Sequence, residues 1–468
     1  MESILEQLNG FVWGFPALAG ILGVGIYLTV RTGFVQLRLF PEALGRFVRM
    51  FYGKDRSSFR SLCTALGATV GTGNIVGVAG AIALGGPGSI FWMWVCGFLG
   101  MATKYAEAVL AVHYRVREEG ELLGGPMYVI TRGMGSRWRW LAGLYSFLGV
   151  IAAFGVGNAT QVNALVAGLS ELTGTESPRG KLLLGVGVAF LVGILLRGGG
   201  KRIGAAAEKL VPFAAGGYIL LCTALLILCR DRIGQAFAMI IRGAFDPKAA
   251  TGGILGSAFT ALRVGCSRGV FTNEAGMGTA AIAHAGADVA HPARQGLMGI
   301  MEVFLDTILI CTLTALVILC SGISIPYGME AGTLTAQAIG AVCGEWAQIF
   351  LTGSLACFAL ATILGWGLYG IRCARFLFGK NSETWFALLQ AGAAFMGAVL
   401  ETGLIWTLAE MFNGLMAIPN LIALAALSGK VVNLTGEYCK CKTGTFQGKG
   451  KNQLPECIPC AIMDGNPE

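Results

Sequence analysis

Charge is scarce in this sequence. Asp, Glu, Lys and Arg make up 13% of its 468 residues, about half of what a soluble domain carries. Histidine is scarcer still, with three residues (His113, His284 and His291), and no set of them has the spacing of a metal site. A glycine-rich phosphate loop ending in Gly-Lys-Ser/Thr is absent, which excludes a built-in ATP drive. Neither a Ser/His/Asp arrangement nor a His-Glu-x-x-His motif is present to suggest an enzyme of the membrane. The first ten residues, MESILEQLNG, hold two Glu and no Lys or Arg, unlike the positive start of a cleavable signal.

Apolar residues and glycine fill the space that charge leaves. Hydrophobic residues account for 55% of the chain and glycine for 71 positions. No Gly-x-y period accompanies them, so the glycines read as close-packing positions between helices in lipid. The net charge of +8 is not gathered into a basic arm, and nucleic acid is not an expected partner. Most of the 14 cysteines stand singly in apolar runs (Cys63, Cys96, Cys222, Cys311, Cys320), where they serve as small hydrophobes.

A helical crossing takes about 20 apolar residues. Eleven segments meet that measure, at roughly 11–30, 59–84, 87–113, 141–170, 181–196, 205–229, 250–286, 296–320, 345–371, 384–411 and 414–429. The expected class is an all-α integral membrane protein set in a lipid bilayer. Lys and Arg fall in alternate loops: 25 on the side of the C-terminus and six on the other. Positive residues mark the cytoplasmic side, so the chain is expected in the plasma (inner) membrane, N-terminus outside and C-terminus in the cytoplasm.

Two of these segments are interrupted. Gly71-Thr72-Gly73-Asn74 breaks the second, and Phe271-Thr272-Asn273-Glu274-Ala275-Gly276 breaks the seventh. Hydrocarbon cannot satisfy the backbone groups that a break frees, so a break lines a cavity or holds a ligand. Each interrupted segment opens a block of five crossings, and an odd number of crossings inverts the second block. The expected architecture is one N-terminal helix plus a 5+5 inverted repeat, divided as 1–58, 59–229, 250–429 and a polar cytoplasmic tail, 430–468. No identity between the halves carries this repeat; count, orientation and matched breaks do. Such a plan describes a secondary transporter with its site between the breaks.

At the first break, half-helix amides favour a carboxylate, and the carbonyls of Gly67 and Val70 suit a small cation. Thr72 and Asn74 add polar groups that a packing kink would not need. Glu274 in the second break either serves the solute or ties the break to Arg268 or to exposed amides; Asn273 offers an amide to a substrate. Gln161 reads as a substrate contact or an interhelical hydrogen bond, and Thr362 as a cation ligand or a bond to its own helix. Glu302 with Asp306, and Lys104 with Glu107, read as structural ion pairs in preference to a proton relay. Cys439 and Cys441, with Cys457 and Cys460, resemble a zinc knuckle, but the short Gly/Lys-rich segment around them reads as a disordered, reduced tail.

The run GTGNIVGVAGAIALGGPGSIFWMWVCGFLGMATKYAEAVLAVHYR (Gly71 to Arg115) resembles the hallmark of the alanine/glycine:cation symporters, also called sodium:alanine symporters. GGPMY (Gly124 to Tyr128), FTNEAGMGTAAIAHAGA (Phe271 to Ala287), FLDT (Phe304 to Thr307) and TILGW (Thr362 to Trp366) are similar too. The resemblance covers nearly all of residues 1–430. It implies a leucine-transporter-like fold, no enzyme activity, no cofactor beyond sodium as coupling ion, and uptake of a small neutral amino acid, alanine or glycine. The implied substrate site is Thr72, Gly73, Asn74, Gln161, Phe271, Asn273, Thr362 and Trp366. The implied sodium site is Gly67, Val70, Ala361 and Thr362. The chain departs from the family at Ala361, where a serine is usual, and at Ile371, where an acid is usual. Proton coupling or a different solute on the same fold is the alternative, ahead of an ion channel or a solute-sensing receptor.

Overall fold

A computed structural model describes residues 10, 12–53, 55–175, 177–245, 258–344, 346–399 and 403–442. The described chain is helical except for one short hairpin, Val116–Glu118 against Glu121–Leu123. Among the described residues six helices are long and apolar enough to cross a membrane: 88–113, 136–170, 179–196, 199–228, 292–320 and 349–378. The two interrupted segments fail a length test because each is a pair of half-helices. These are Arg56–Thr69 with Val76–Gly85, and Ala258–Asn273 with Thr279–His284.

Helix Gly88–His113 forms the buried axis, packed between Pro292–Val303 and Ala258–Asn273. Helix Trp346–Phe378 lies against Arg56–Thr69, Arg139–Phe154 and Gly199–Leu228, and so backs the first break. The outer helices Pro178–Leu196 and Gly199–Leu228 turn their apolar side chains outward. Phe190, Phe213 and Leu220 are 71%, 74% and 73% exposed, a surface that water penalises and a bilayer does not.

The helices outside the eleven expected segments include Phe40–Met50, Arg230–Phe245 and Ala331–Cys343. The first two carry charge along one face, too much for a crossing but enough for a helix lying along the assembly. Towards the C-terminus the expected division at residues 412–413 falls inside one helix, Gly403–Ala426. The expected tail also begins too early, because Ser428–Lys442 is a helix. Its Val431, Leu434 and Thr435 are buried, with the Thr435 hydroxyl 2.9 Å from that of Tyr105. Cys439 and Cys441 belong to this helix; Cys457 and Cys460 lie outside the described residues.

The loops assigned to one side by their positive charge meet at one end of the bundle. Arg56 and Arg60 bind Glu208, at 2.7 and 3.0 Å. Arg372 and Arg375 both reach Glu121 of the hairpin, at 2.8 and 3.2 Å, and both reach Glu383. Burial works against the charge on Glu121, but the Arg372 guanidinium, followed by Arg375, holds its carboxyl below the usual range.

Candidate transport site

The first break begins where helix Arg56–Thr69 runs out. Val70 is extended, with φ −78° and ψ 94°, and a single tight turn over Thr72–Asn74 precedes Val76–Gly85. The Asn74 side chain holds this turn. Its Oδ1 accepts from the Gly71 amide at 2.9 Å, a donor that an α-helix would send to the Gly67 carbonyl. Its Nδ2 donates to Asp306 Oδ1 at 2.6 Å. The amides of Thr72 and Gly73 donate to no other group among the described residues. Two amides side by side at a helix start, with the helix dipole behind them, form an anion-binding concavity.

Helix Trp346–Phe378 closes the other side of the gap. A Cβ on Gly67 would lie 3.2 Å from the Ala361 carbonyl oxygen, and one on Gly71 would lie 2.7 Å from Thr362 Oγ1. Gly67 therefore packs against Ala361 and Gly71 against Thr362, with Val70 next to Gly71 in the chain. Thr362 is buried, and its hydroxyl has no hydrogen-bond partner; of its two readings, the bond to its own helix is not made. A buried hydroxyl without a partner thus stands against the point where helix Arg56–Thr69 ends. Thr72 Oγ1 donates to Gln161 Oε1 at 3.4 Å, while Gln161 Nε2 donates to the Val156 carbonyl at 3.1 Å. Gln161 thus stands at the rim of the same gap. Phe271 covers Gly73, with ring atoms 3.5 to 3.6 Å from where a Cβ would be.

The second break sits later than expected. Phe271, Thr272 and Asn273 still belong to helix Ala258–Asn273, and the break is Glu274–Gly278. Glu274, Gly276 and Gly278 all take positive φ, at 52°, 95° and 78°, which glycine adopts without cost. Glu274 is tied to neither Arg268 nor free amides: Trp366 Nε1 donates to its Oε1 at 3.0 Å and Thr279 Oγ1 to its Oε2 at 2.6 Å. Trp366 is buried against Gly157, so it locks the second break to the helix behind the first. Asn273 Oδ1 accepts from the Ala275 amide at 3.0 Å, and its Nδ2 donates to Thr307 Oγ1 at 3.2 Å.

The buried charges pair across helices rather than along them. Lys104 Nζ reaches Glu302 Oε1 at 2.9 Å, and His284 Nε2 reaches Glu302 Oε2 at 2.8 Å. His284 ends helix Thr279–His284 and is fully buried. Glu107 Oε1 accepts from the Gly276 and Gly278 amides at 2.9 and 3.1 Å and from Asn420 Nδ2 at 2.7 Å. A carboxylate of the protein itself thus fills the amide concavity of the second break, and the first break is left with the open one. Sequence reasoning missed Asn420, whose only signal is a Pro419-Asn420 pair inside an apolar helix. It also paired Lys104 with Glu107 and Glu302 with Asp306 by spacing alone.

A cavity of ≈ 210 Å³ opens at the charged end of the bundle, lined by Arg60, Thr64, Glu121, Lys201, Ile282 and Arg372 among others. Thr64 lies one helical turn before Ala68, so the cavity ends close to the first break.

Two half-helix pairs, an open amide concavity and an unpartnered buried hydroxyl describe a solute carrier. A sequence profile of the sodium:alanine symporter family matches residues 1–452. The chain belongs to that family. It is a membrane transporter and not an enzyme. It is 42% identical over 450 residues to the sodium/alanine symporter AgcS of Methanococcus maripaludis, covering 93% of this chain and 97% of that one. An uncharacterized transporter of Haemophilus influenzae is 44% identical over 447 residues, covering 94% and 96%. In fold, the symporter is similar to the Eremococcus coleocola manganese transporter. The TM-score is 0.53 at 14% identity, covering 85% of this chain and 88% of that one.

Proposed function

We propose that this symporter carries a small neutral amino acid, alanine or glycine, together with sodium by alternating access. The observation that carries the reading is the unpartnered Thr362 hydroxyl packed against Gly71, the residue that precedes the free Thr72 and Gly73 amides. Sodium held by the Gly67 and Val70 carbonyls with Ala361 and Thr362 pins the broken helix. The amides then take the substrate carboxylate, with Gln161 beside it, and carbonyls of the second break take the ammonium. Phe271 and Trp366 bound the space, and Asn74 and Asn273 shape the two breaks around the substrate. Each ligand stabilises the same occluded arrangement, so each raises the other's affinity.

The wider frame of this proposal is eleven crossings, the inverted 5+5 repeat over 59–229 and 250–429, and a cytoplasmic C-terminus. It is supported by the two half-helix pairs and by the gathering of basic loops at one end. Counterflow of labelled alanine into proteoliposomes tests the transport. Exchange is expected with sodium present and is expected to fall at least tenfold when choline replaces it. Exchange indifferent to sodium would remove sodium from the cycle.

A further inference from the structure

Asp306 is a buried carboxylate that, like Glu107 and Glu274, has no cationic partner among the described residues, and of the three it is the one bonded to the first break. It is 0% exposed and lies in the π-helical stretch Phe304–Cys311, a distortion frequent at functional sites. Among the described residues no Lys, Arg or His nitrogen lies within 4.0 Å of it. Its hydrogen bonds come from neutral groups: Asn74 Nδ2 to Oδ1 at 2.6 Å and Thr307 Oγ1 to Oδ2 at 2.7 Å. An ionised carboxylate so placed is costly without a counter-charge.

The surrounding charges are all engaged elsewhere. Lys104, on the packed helix Gly88–His113, is bonded to Glu302 of the helix that carries Asp306, and Glu302 also holds His284. Glu107 is bonded to the amides of the second break, and Glu274 to Trp366 and Thr279. Cys311 lies beside Asn74 Nδ2 at 3.3 Å. The first break brings no charged side chain, and Ala258–Asn273 presents Thr272 and Asn273; its Arg263 and Arg268 lie ten and five residues before Asn273.

The geometry points to Asp306 as a proton-carrying site that bridges the two breaks and is loaded together with the substrate. A proton suits it better than a metal ion, because the nearby amide oxygens are spent: Asn74 Oδ1 on the Gly71 amide and Asn273 Oδ1 on the Ala275 amide. The protonated form has a place for every hydrogen. Asp306 Oδ2 carries the added proton and donates it to Thr307 Oγ1. The Thr307 hydroxyl turns and donates to Thr272 Oγ1, 3.5 Å away, while Thr272 keeps its own bond to the Gly269 carbonyl at 2.9 Å. Asn273 Nδ2 goes on donating to Thr307, and Asn74 to Oδ1. Protonation therefore reverses one hydroxyl between the breaks without unmaking either. The proton leaves when the site opens to the other side.

This inference rests on the transport reading, and its test separates the two. The full chain is reconstituted with a pH dye inside, equal sodium on both sides and the membrane potential clamped. Added alanine is expected to acidify the lumen. For one proton per alanine, each unit of inward pH gradient raises accumulation about tenfold. Asp306→Asn is expected to make accumulation independent of the pH gradient. If that variant fails to reach the membrane, Thr307→Val keeps the carboxylate, removes the hydroxyl that accepts its proton, and is expected to blunt the same response. Alanine exchange without proton movement in the unaltered protein overturns the inference alone, as does an undiminished pH response in either variant. No alanine exchange under any condition overturns the transport reading and this inference together.

Discussion

Lys104→Met is expected to cost the protein about 3–5 kcal/mol of stability, the usual effect of removing one partner from a buried ion pair. The Lys104 and Glu302 side chains are 0% and 1% exposed and 2.9 Å apart. Without the ammonium, Glu302 keeps its charge deep in the bundle with His284 as its sole bonded partner, itself held by Gln295 at 2.8 Å. The lysine joins the central helix Gly88–His113 to Pro292–Val303, so the loss is felt through the whole core. Thermal unfolding in detergent, followed by size-exclusion recovery, checks this. The double variant Lys104→Met/Glu302→Leu is expected to recover most of the loss, because two apolar side chains leave no stranded charge. A double variant no more stable than the single one would mean that the pair does not act as a unit.

Gly365→Val is expected to lower sodium-driven uptake about a hundredfold, the scale of an ångström-sized misplacement at a site. A Cβ at Gly365 would stand 2.6 Å from Ala68 Cβ and 2.7 Å from the Ala68 amide nitrogen. Backbone cannot yield as a long side chain can, so the added atoms must push helix Trp346–Phe378 away from Arg56–Thr69. That movement parts Ala361 and Thr362 from Gly67 and Val70. The damage is local: the protein should still insert and elute as a single species. Gly143→Ala, where the added atom meets open space, serves as the control and should transport normally. Uptake in Gly365→Val at the control's level would show that the two helices need not touch.

The sequence carried much of this account because lipid leaves the backbone few choices. Helices were legible from apolar length, and both breaks from glycine next to polar residues in runs that should not contain them. The start of the second break was read three residues early, since Phe271-Thr272-Asn273 has no residue that ends a helix; the positive φ at Glu274 does. Pairing was the least legible part. Spacing puts Lys104 near Glu107 on one helix, yet tertiary packing offers Lys104 the carboxylate of Glu302 and offers Glu107 the exposed amides of Gly276 and Gly278. Helix Ser428–Lys442 was hidden because its lysines mask a short stripe, Val431 and Leu434, that packs inward. Thr362 was visible as a hydroxyl in an apolar helix, but only the fold reveals that its oxygen is left without a partner.

The central claim is that the first break and Thr362 form one linked site for cation and amino acid. Equilibrium binding of labelled alanine to the purified protein in lipid nanodiscs, titrated across sodium, tests it most directly when Thr362→Val is measured beside the unaltered chain. Valine keeps the shape and deletes the hydroxyl. The account predicts that sodium tightens alanine binding in the unaltered protein and alanine tightens sodium binding by the same factor. In Thr362→Val the sodium dependence should shift to at least tenfold higher concentration, as loss of an ion-ligating hydroxyl worth about 1.5 kcal/mol requires. An unchanged sodium dependence in Thr362→Val would contradict it.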